Sequence, residues 1–319
     1  MTTAPHLPVM LDRVVALLSE APDGVIVDAT LGAAGHARAV IEARTERYGH
    51  AHLIGLDRDP MALELSADHL AVVRESAAVE LVRARFDELP AVLDERGIPT
   101  IAGILLDLGI SSMHVDIAER GFSYRQDAPL DMRMDPDLPV SAADIVNGWS
   151  TGELTRILRD YGEERFADRV ARGIVAARPL HSTTALAEVV RDAIPAAARR
   201  RGGHPATRAF QALRIAVNDE LAALEAVLPV VVERLAPGGI AVVLSYHSLE
   251  DRRVKQAFAA AATGCICPPG LPVCGCGRTP MAEPLVRRPE RPDEEEIAAN
   301  PRAASARLRA VRRLPGGHR

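Results

Sequence analysis

The chain is poor in aromatic residues, which make up 3% of its 319 positions. That shortage argues against a binding platform built from several stacked rings. Lysine occurs once, at Lys255, so nearly every basic side chain is arginine, the residue suited to forked contacts with phosphates. Cysteine is confined to positions 265, 267, 274 and 276. In a reducing compartment these four are not expected to be disulfides. No N-terminal apolar run resembles a signal peptide, and no uninterrupted apolar span has membrane length. A soluble, cytoplasmic protein with no membrane partner is therefore expected. The net charge of -5 excludes a wholesale nucleic-acid coat but leaves room for a local basic patch. What the chain does have is apolar residues, 48% of the total, enough for a sizeable core in one large domain or two ordinary ones.

The first third alternates strand and helix patterns. Strands are expected at Val25–Thr30, His52–Asp57, Val79–Ala84 and Ile101–Asp107, with helices from His36 to about Arg47 and from Pro60 to about Ala71. This rhythm implies a parallel sheet covered on both faces. It breaks at residues 113–139, which read as an irregular loop. Only helical patterns follow, to about residue 228. The last is one long helix from Thr207, with Phe210, Leu213, Val217, Leu221, Leu224 and Leu228 on a single buried stripe. The sheet pattern returns at Gly239–Ser245 after the turn Pro237-Gly238-Gly239. The α/β domain is thus expected to comprise residues 1–115 and 229–319, interrupted by an all-helical domain at 116–228. An insertion at the carboxyl ends of the strands would lie over the ligand crevice and suits substrate recognition. The tail from about Pro280, rich in Pro, Arg and Glu, reads as irregular or surface-bound.

The first strand runs through Asp28 into Thr30-Leu31-Gly32-Ala33-Ala34-Gly35-His36. Glycines at such a turn let the backbone approach a ligand, and the free N–H groups of a helix start favour an anionic group. The second strand ends at Asp57, an acid placed to accept hydrogen bonds from ribose hydroxyls. Together these predict a nucleoside-containing cofactor on a doubly wound sheet. The dinucleotide fingerprint wants G-x-G-x-x-G; here position 34 is Ala and no third glycine opens the helix, so a pyrophosphate is poorly supported. S-adenosylmethionine carries no phosphate and fits better. A plain structural turn, with Asp57 a solvated strand end, is the alternative.

Longer segments follow in order: Asp107-Leu108-Gly109-Ile110-Ser111-Ser112, Glu119-Arg120-Gly121-Phe122-Ser123, Pro129-Leu130-Asp131-Met132-Arg133-Met134, His204-Pro205-Ala206-Thr207-Arg208-Ala209-Phe210-Gln211, and Ser245-Tyr246-His247-Ser248-Leu249-Glu250-Asp251-Arg252. The combination resembles the ribosomal RNA small-subunit methyltransferase H family, from about His6 to the C-terminal Arg-rich segment. The resemblance implies a Rossmann-like S-adenosylmethionine-dependent methyltransferase sheet with an inserted helical domain. It implies N4-methylation of a cytidine in the decoding region of small-subunit rRNA, with the assembled subunit rather than naked RNA as partner and a homodimer among the possible states. The family's cofactor contacts carry over to Ala34, Gly35, His36, Asp57, Phe86 and Asp107. A last contact, usually Gln in a Ser-Ser-Pro-Gln segment, falls on His114 in Ser111-Ser112-Met113-His114.

The amine of cytosine is a poor nucleophile because its lone pair is delocalised into the ring. An acceptor beside it favours the tetrahedral nitrogen of the attack and takes its proton. Asp107 is the expected base, with His247 or Tyr246 as secondary candidates. The D/N/S-P-P-Y/F motif of many amino-methyltransferases is absent, since the equivalent place reads Asp107-Leu108-Gly109-Ile110. The run Arg199-Arg200-Arg201-Gly202-Gly203-His204 reads either as a phosphate grip, with base extrusion at the target, or as a solvated charge run. No metal ligand is assigned. The C-x-C, six residues, C-x-C pattern departs from the usual C-x-x-C spacing, and a reduced, metal-free loop is the plainer reading; a metal there would be structural. A nicotinamide oxidoreductase, a non-catalytic RNA-binding assembly factor and a DNA amino-methyltransferase are the competing functions.

Overall fold

The computed structural model describes residues 8–199, 204–267 and 275–316. The chain divides into two compact units, Met1–Gly109 with Ala222–Arg319, and Ile110–Leu221.

The first unit is built on one seven-stranded sheet. Its strands are β1 (Val25–Asp28), β2 (Ala51–Asp57), β3 (Ala77–Arg83), β4 (Ile101–Asp107), β5 (Leu235–Ser245), β6 (Ala282–Pro284) and β7 (Arg307–Arg313). The spatial order is β3-β2-β1-β4-β5-β7-β6. β1 to β5 are parallel, and β7 runs antiparallel to both of its neighbours. Both faces are covered, which is why the central strands read as near-continuous apolar runs. Ile26, Leu53, Leu105, Ile240 and Val242 pack on one side with Leu18 and Val40, from the helices Leu11–Ser19 and Gly35–Tyr48. Val27, Ile54, Ile104, Leu106 and Val243 pack on the other with Leu93, Val231 and Phe258.

The chain steps outward from β1 to β3, then returns to β4 on the opposite side of β1. That reversal opens a crevice at the carboxyl ends of β1 and β4, the usual ligand position in open α/β sheets.

Several elements differ from the sequence reading. β5 starts at Leu235, not Gly239. Leu235 pairs with Ile101 and Ile240 with Gly103, so the intervening Pro-Gly-Gly segment is a bulge inside the strand rather than a turn before it. The tail beyond Pro280 is not irregular: it supplies β6, the helix Glu294–Ala299 and β7. In β7, Leu308 and Ala310 are buried, while Arg307 and Arg309 both reach Asp251. Alternation with period two was present there, masked by the high arginine content.

The long helix expected from Thr207 is two helices, Thr207–Asn218 and Glu220–Arg234, separated by Asp219 at φ 51°. Its apolar stripe is shared accordingly. Phe210, Leu213 and Val217 join the core of the helical unit, whereas Leu224 and Leu228 join the sheet unit. The unit boundaries therefore fall at 109/110 and 221/222, ahead of the expected 115/116 and 228/229.

The helical unit packs Ala142–Gly148, Thr151–Asp160, Ala167–Ala176, Thr183–Ala193 and Thr207–Asn218 around its own core. Ser141 with Asp144 and Ser150 with Glu153 form reciprocal capping boxes that start the first two of these helices. The irregular segment before them is tied down by Asn218. Its fully buried amide donates to the Met132 carbonyl at 2.7 Å and accepts from the Met134 N–H at 2.8 Å.

Candidate active site

Three neighbouring strands of the sheet unit each end in an acid: β1 in Asp28, β2 in Asp57 and β4 in Asp107. Asp57 links the two expected cofactor segments directly. Its Oδ2 accepts the Gly32 N–H at 2.8 Å, and its Oδ1 accepts the Asp59 N–H at 2.9 Å.

The turn after β1 carries unusual backbone. Ala34 sits in the left-handed region at φ 61° and ψ 23°, directly before the helix that starts at Gly35. A non-glycine residue held there costs roughly 1 kcal/mol and is the kind of strain that collects at ligand sites. At Gly35 an added Cβ would lie 2.4 Å from Pro8 Cγ. The close approach that demands glycine is thus made by the chain's own N-terminal segment.

His36 is buried one residue into that helix. Its Nε2 lies 2.8 Å from the Val9 carbonyl, which can only accept, so Nε2 carries a proton. Nδ1 is left facing Asp107 Oδ2 at 3.6 Å. Asp107 is held from two further sides. Its backbone N–H donates to Thr30 Oγ1 at 2.6 Å, and its Oδ1 accepts from the Tyr246 hydroxyl at 2.7 Å. Burial, and then the Asp107 carboxylate, push the Tyr246 phenol far above its ordinary pKa, so it stays a donor. Gly109, at φ 94°, brings the backbone against the Tyr246 ring; a Cβ there would stand 3.3 Å from Cδ2.

Asp28 is absent from the site residues expected from the sequence. It is almost fully buried, and burial raises its carboxyl from 3.8 to about 7, against the Thr30 N–H bond and with the charges of Asp107 and Asp57 adding to the rise.

The segment after β5 serves mainly as scaffold. Glu250 Oε2 accepts the N–H groups of Tyr246 at 2.8 Å and His247 at 3.2 Å. His247 is the N-cap of the helix Ser248–Ala262: its Nδ1 accepts from the Glu250 N–H, and its Nε2 stands 3.1 Å from Glu250 Oε1. Asp251 receives Arg307 and Arg309 from β7 at 2.9 and 2.7 Å. Burial raises its carboxyl, but those two guanidinium groups outweigh it and hold the group below its usual range. Within the Tyr246–Asp251 motif, the Tyr246 hydroxyl reaches Asp107.

Phe86 opens a short 3₁₀ turn after β3 and packs, half-buried, against the core beneath the sheet. His114 belongs to the helical unit, where its buried ring lies 4.8 Å from that of Phe122. Arg199 turns onto its own loop, with Nε donating to the Ile194 carbonyl at 2.7 Å. Arg200–Gly203 lie outside the described residues, as does Cys274. His204 stacks on Tyr124 at 4.3 Å and 12°, an aromatic pair that the sequence did not signal because the partners are eighty positions apart.

A doubly wound sheet with a single reversed strand, and acids grouped at its switch point, define a Rossmann-like methyltransferase. The chain belongs to the MraW methylase family, whose model matches residues 3–314. It is 56% identical over 315 residues to the ribosomal RNA small subunit methyltransferase H of Acidothermus cellulolyticus, covering 97% of this chain and 94% of the relative. The proteins of the same description from Thermobifida fusca and Heliobacterium modesticaldum are 54% and 51% identical over 314 and 313 residues, with 97% of this chain covered in each case and 93% and 98% of the relatives.

Proposed function

We propose that this protein is an S-adenosylmethionine-dependent rRNA methyltransferase that modifies the exocyclic N4 of a cytidine in the decoding region of the small subunit. The observation that carries the choice of donor is the acid at each of three adjacent strand ends, Asp28, Asp57 and Asp107. Such a crevice suits a ligand with a sulfonium and an ammonium charge. It opposes the pyrophosphate of a nicotinamide cofactor, whose charge the carboxylates of Asp57 and Asp107 repel. The residues present fit the donor. Asp57, the acid that closes β2, is assigned to the ribose diol, the strained turn at Ala34 to His36 borders the amino-acid end, and half-buried Phe86 offers a ring face to adenine. Bound S-adenosylmethionine supplies an electrophilic methyl group on sulfur.

The chain's own part is to position the target amine and take its proton. Asp107 Oδ1 accepts from the Tyr246 hydroxyl, and Oδ2 is the oxygen assigned to accept from the amine as nitrogen becomes tetrahedral. His36 Nδ1, 3.6 Å from that oxygen, is placed to receive the proton next. His247 holds the end of β5 in place as a helix cap. The rRNA specificity rests on the named relatives, and the stack of Tyr124 on His204 offers an aromatic face for an unstacked base. The test is to incubate labelled donor with small subunits from a strain lacking this protein and to map the modified nucleoside. Label in N4-methylcytidine at one decoding-region position is expected. Label elsewhere, or none, overturns the reading.

A further inference from the structure

We propose that Cys265, Cys267 and Cys276 form a thiolate site for one structural Zn²⁺ ion. They lie on the connection between the helix Ser248–Ala262 and β6, away from the residues assigned to methyl transfer. Their three sulfur atoms all lie within 4.8 Å of one another, and Cys265 and Cys276 Sγ are 3.7 Å apart. A zinc–thiolate bond is about 2.3 Å, so two thiolates on one tetrahedral ion stand about 3.8 Å from each other. A disulfide needs about 2.05 Å. The separation seen is that of two ligands sharing an ion.

The connection that carries them is closed at its base. Its two ends are joined by the Met281 N–H donating to the Ala261 carbonyl at 2.8 Å. That clamp brings Cys276 back towards Cys265 and Cys267 across the connection. The Cys267 N–H also points at Cys265 Sγ at 3.4 Å, the kind of backbone donation that stabilises a metal-bound thiolate. The unusual C-x-C spacing left the match open, and the gathered sulfurs answer the geometric requirement that it did not. Among the described residues the donor set is all sulfur. That selects Zn²⁺ over Ca²⁺ or Mg²⁺, which want oxygen ligands. The ion would fasten the end of the helix to the β6 edge of the sheet.

The test uses the full chain purified under reducing conditions with Zn²⁺ present. Elemental analysis is expected to give about one zinc per chain. Exchange for Co²⁺ is expected to produce a thiolate-to-metal charge-transfer band and the visible absorption of a tetrahedral site. C265S and C276S are expected to lower bound zinc about tenfold or more, with far-ultraviolet circular dichroism unchanged. Should those variants not fold, the native chain still decides, because bound Zn²⁺ is expected to slow alkylation of its thiols about tenfold. Zinc below about a tenth of an equivalent with no cobalt spectrum, or alkylation at one rate with and without Zn²⁺, overturns the site.

Discussion

Tyr246 and Asp107, 139 positions apart in the chain, meet through a 2.7 Å hydrogen bond from the phenol to Oδ1. β4 and β5 are adjacent and parallel, so their carboxyl ends coincide, and the residue just beyond one strand reaches the acid that closes the other. The bond helps to set the orientation of the Asp107 carboxylate.

Asp107→Asn keeps the acceptor for Tyr246 but loses the base. Its methyl-transfer kcat on small subunits is expected to fall by about 10²–10⁴, with donor affinity measured by calorimetry changed by less than about threefold. A full-rate Asn variant removes Asp107 from the chemistry.

Tyr246→Phe removes one of the bonds that orient the Asp107 carboxylate. A drop of about tenfold in kcat is expected with little change in KM, alongside a stability loss of about 1 kcal/mol read from urea unfolding. A change confined to KM contradicts the positioning role.

Asp57→Ala leaves the Gly32 and Asp59 amides without their carboxylate acceptor. The expected cost is about 1–3 kcal/mol of stability and at least about a tenfold loss of donor affinity. Asp57→Asn retains one acceptor oxygen and is expected to recover part of the stability.

Asp28 predicts a pH dependence. Its native pKa of about 7 lies above the ordinary 3.8 of the unfolded chain. Between those values the native state holds a proton that the unfolded state has lost. Stability therefore falls as pH rises through that window and levels off above about 7, by on the order of 4 kcal/mol at most. Asp28→Asn is expected to remove the slope in denaturation experiments run from pH 5 to 8. A cationic donor favours the ionised carboxyl, so native donor binding near pH 7 should release protons in calorimetry across buffers, and the Asn variant should not.

Asn218→Ala is expected to cost about 2–4 kcal/mol, because it removes the side-chain bonds to the Met134 N–H and the Met132 carbonyl inside the helical unit. Faster hydrogen exchange at the Met134 amide is the direct reading.

Residues 25–107 carried their architecture openly. Buried parallel strands must be apolar on both faces, turns need their glycines, and strand ends carry acids at the crevice, so Val25–Asp28 and Ile101–Asp107 could be read from one-dimensional pattern. The motif segments, being long and ordered, also pointed to the family. Other features depended on neighbours distant in the chain. Whether Arg307–Arg313 is a strand turned on Asp251 waiting beside it. Where the helix after Thr207 breaks was decided at Asp219 by two cores competing for one stripe. The roles of Asp28, Tyr246 and His247 followed from burial and hydrogen-bond partners, which exist only once the chain has folded. Local propensity is written in residue order, whereas desolvation and contact depend on which residues the fold brings together.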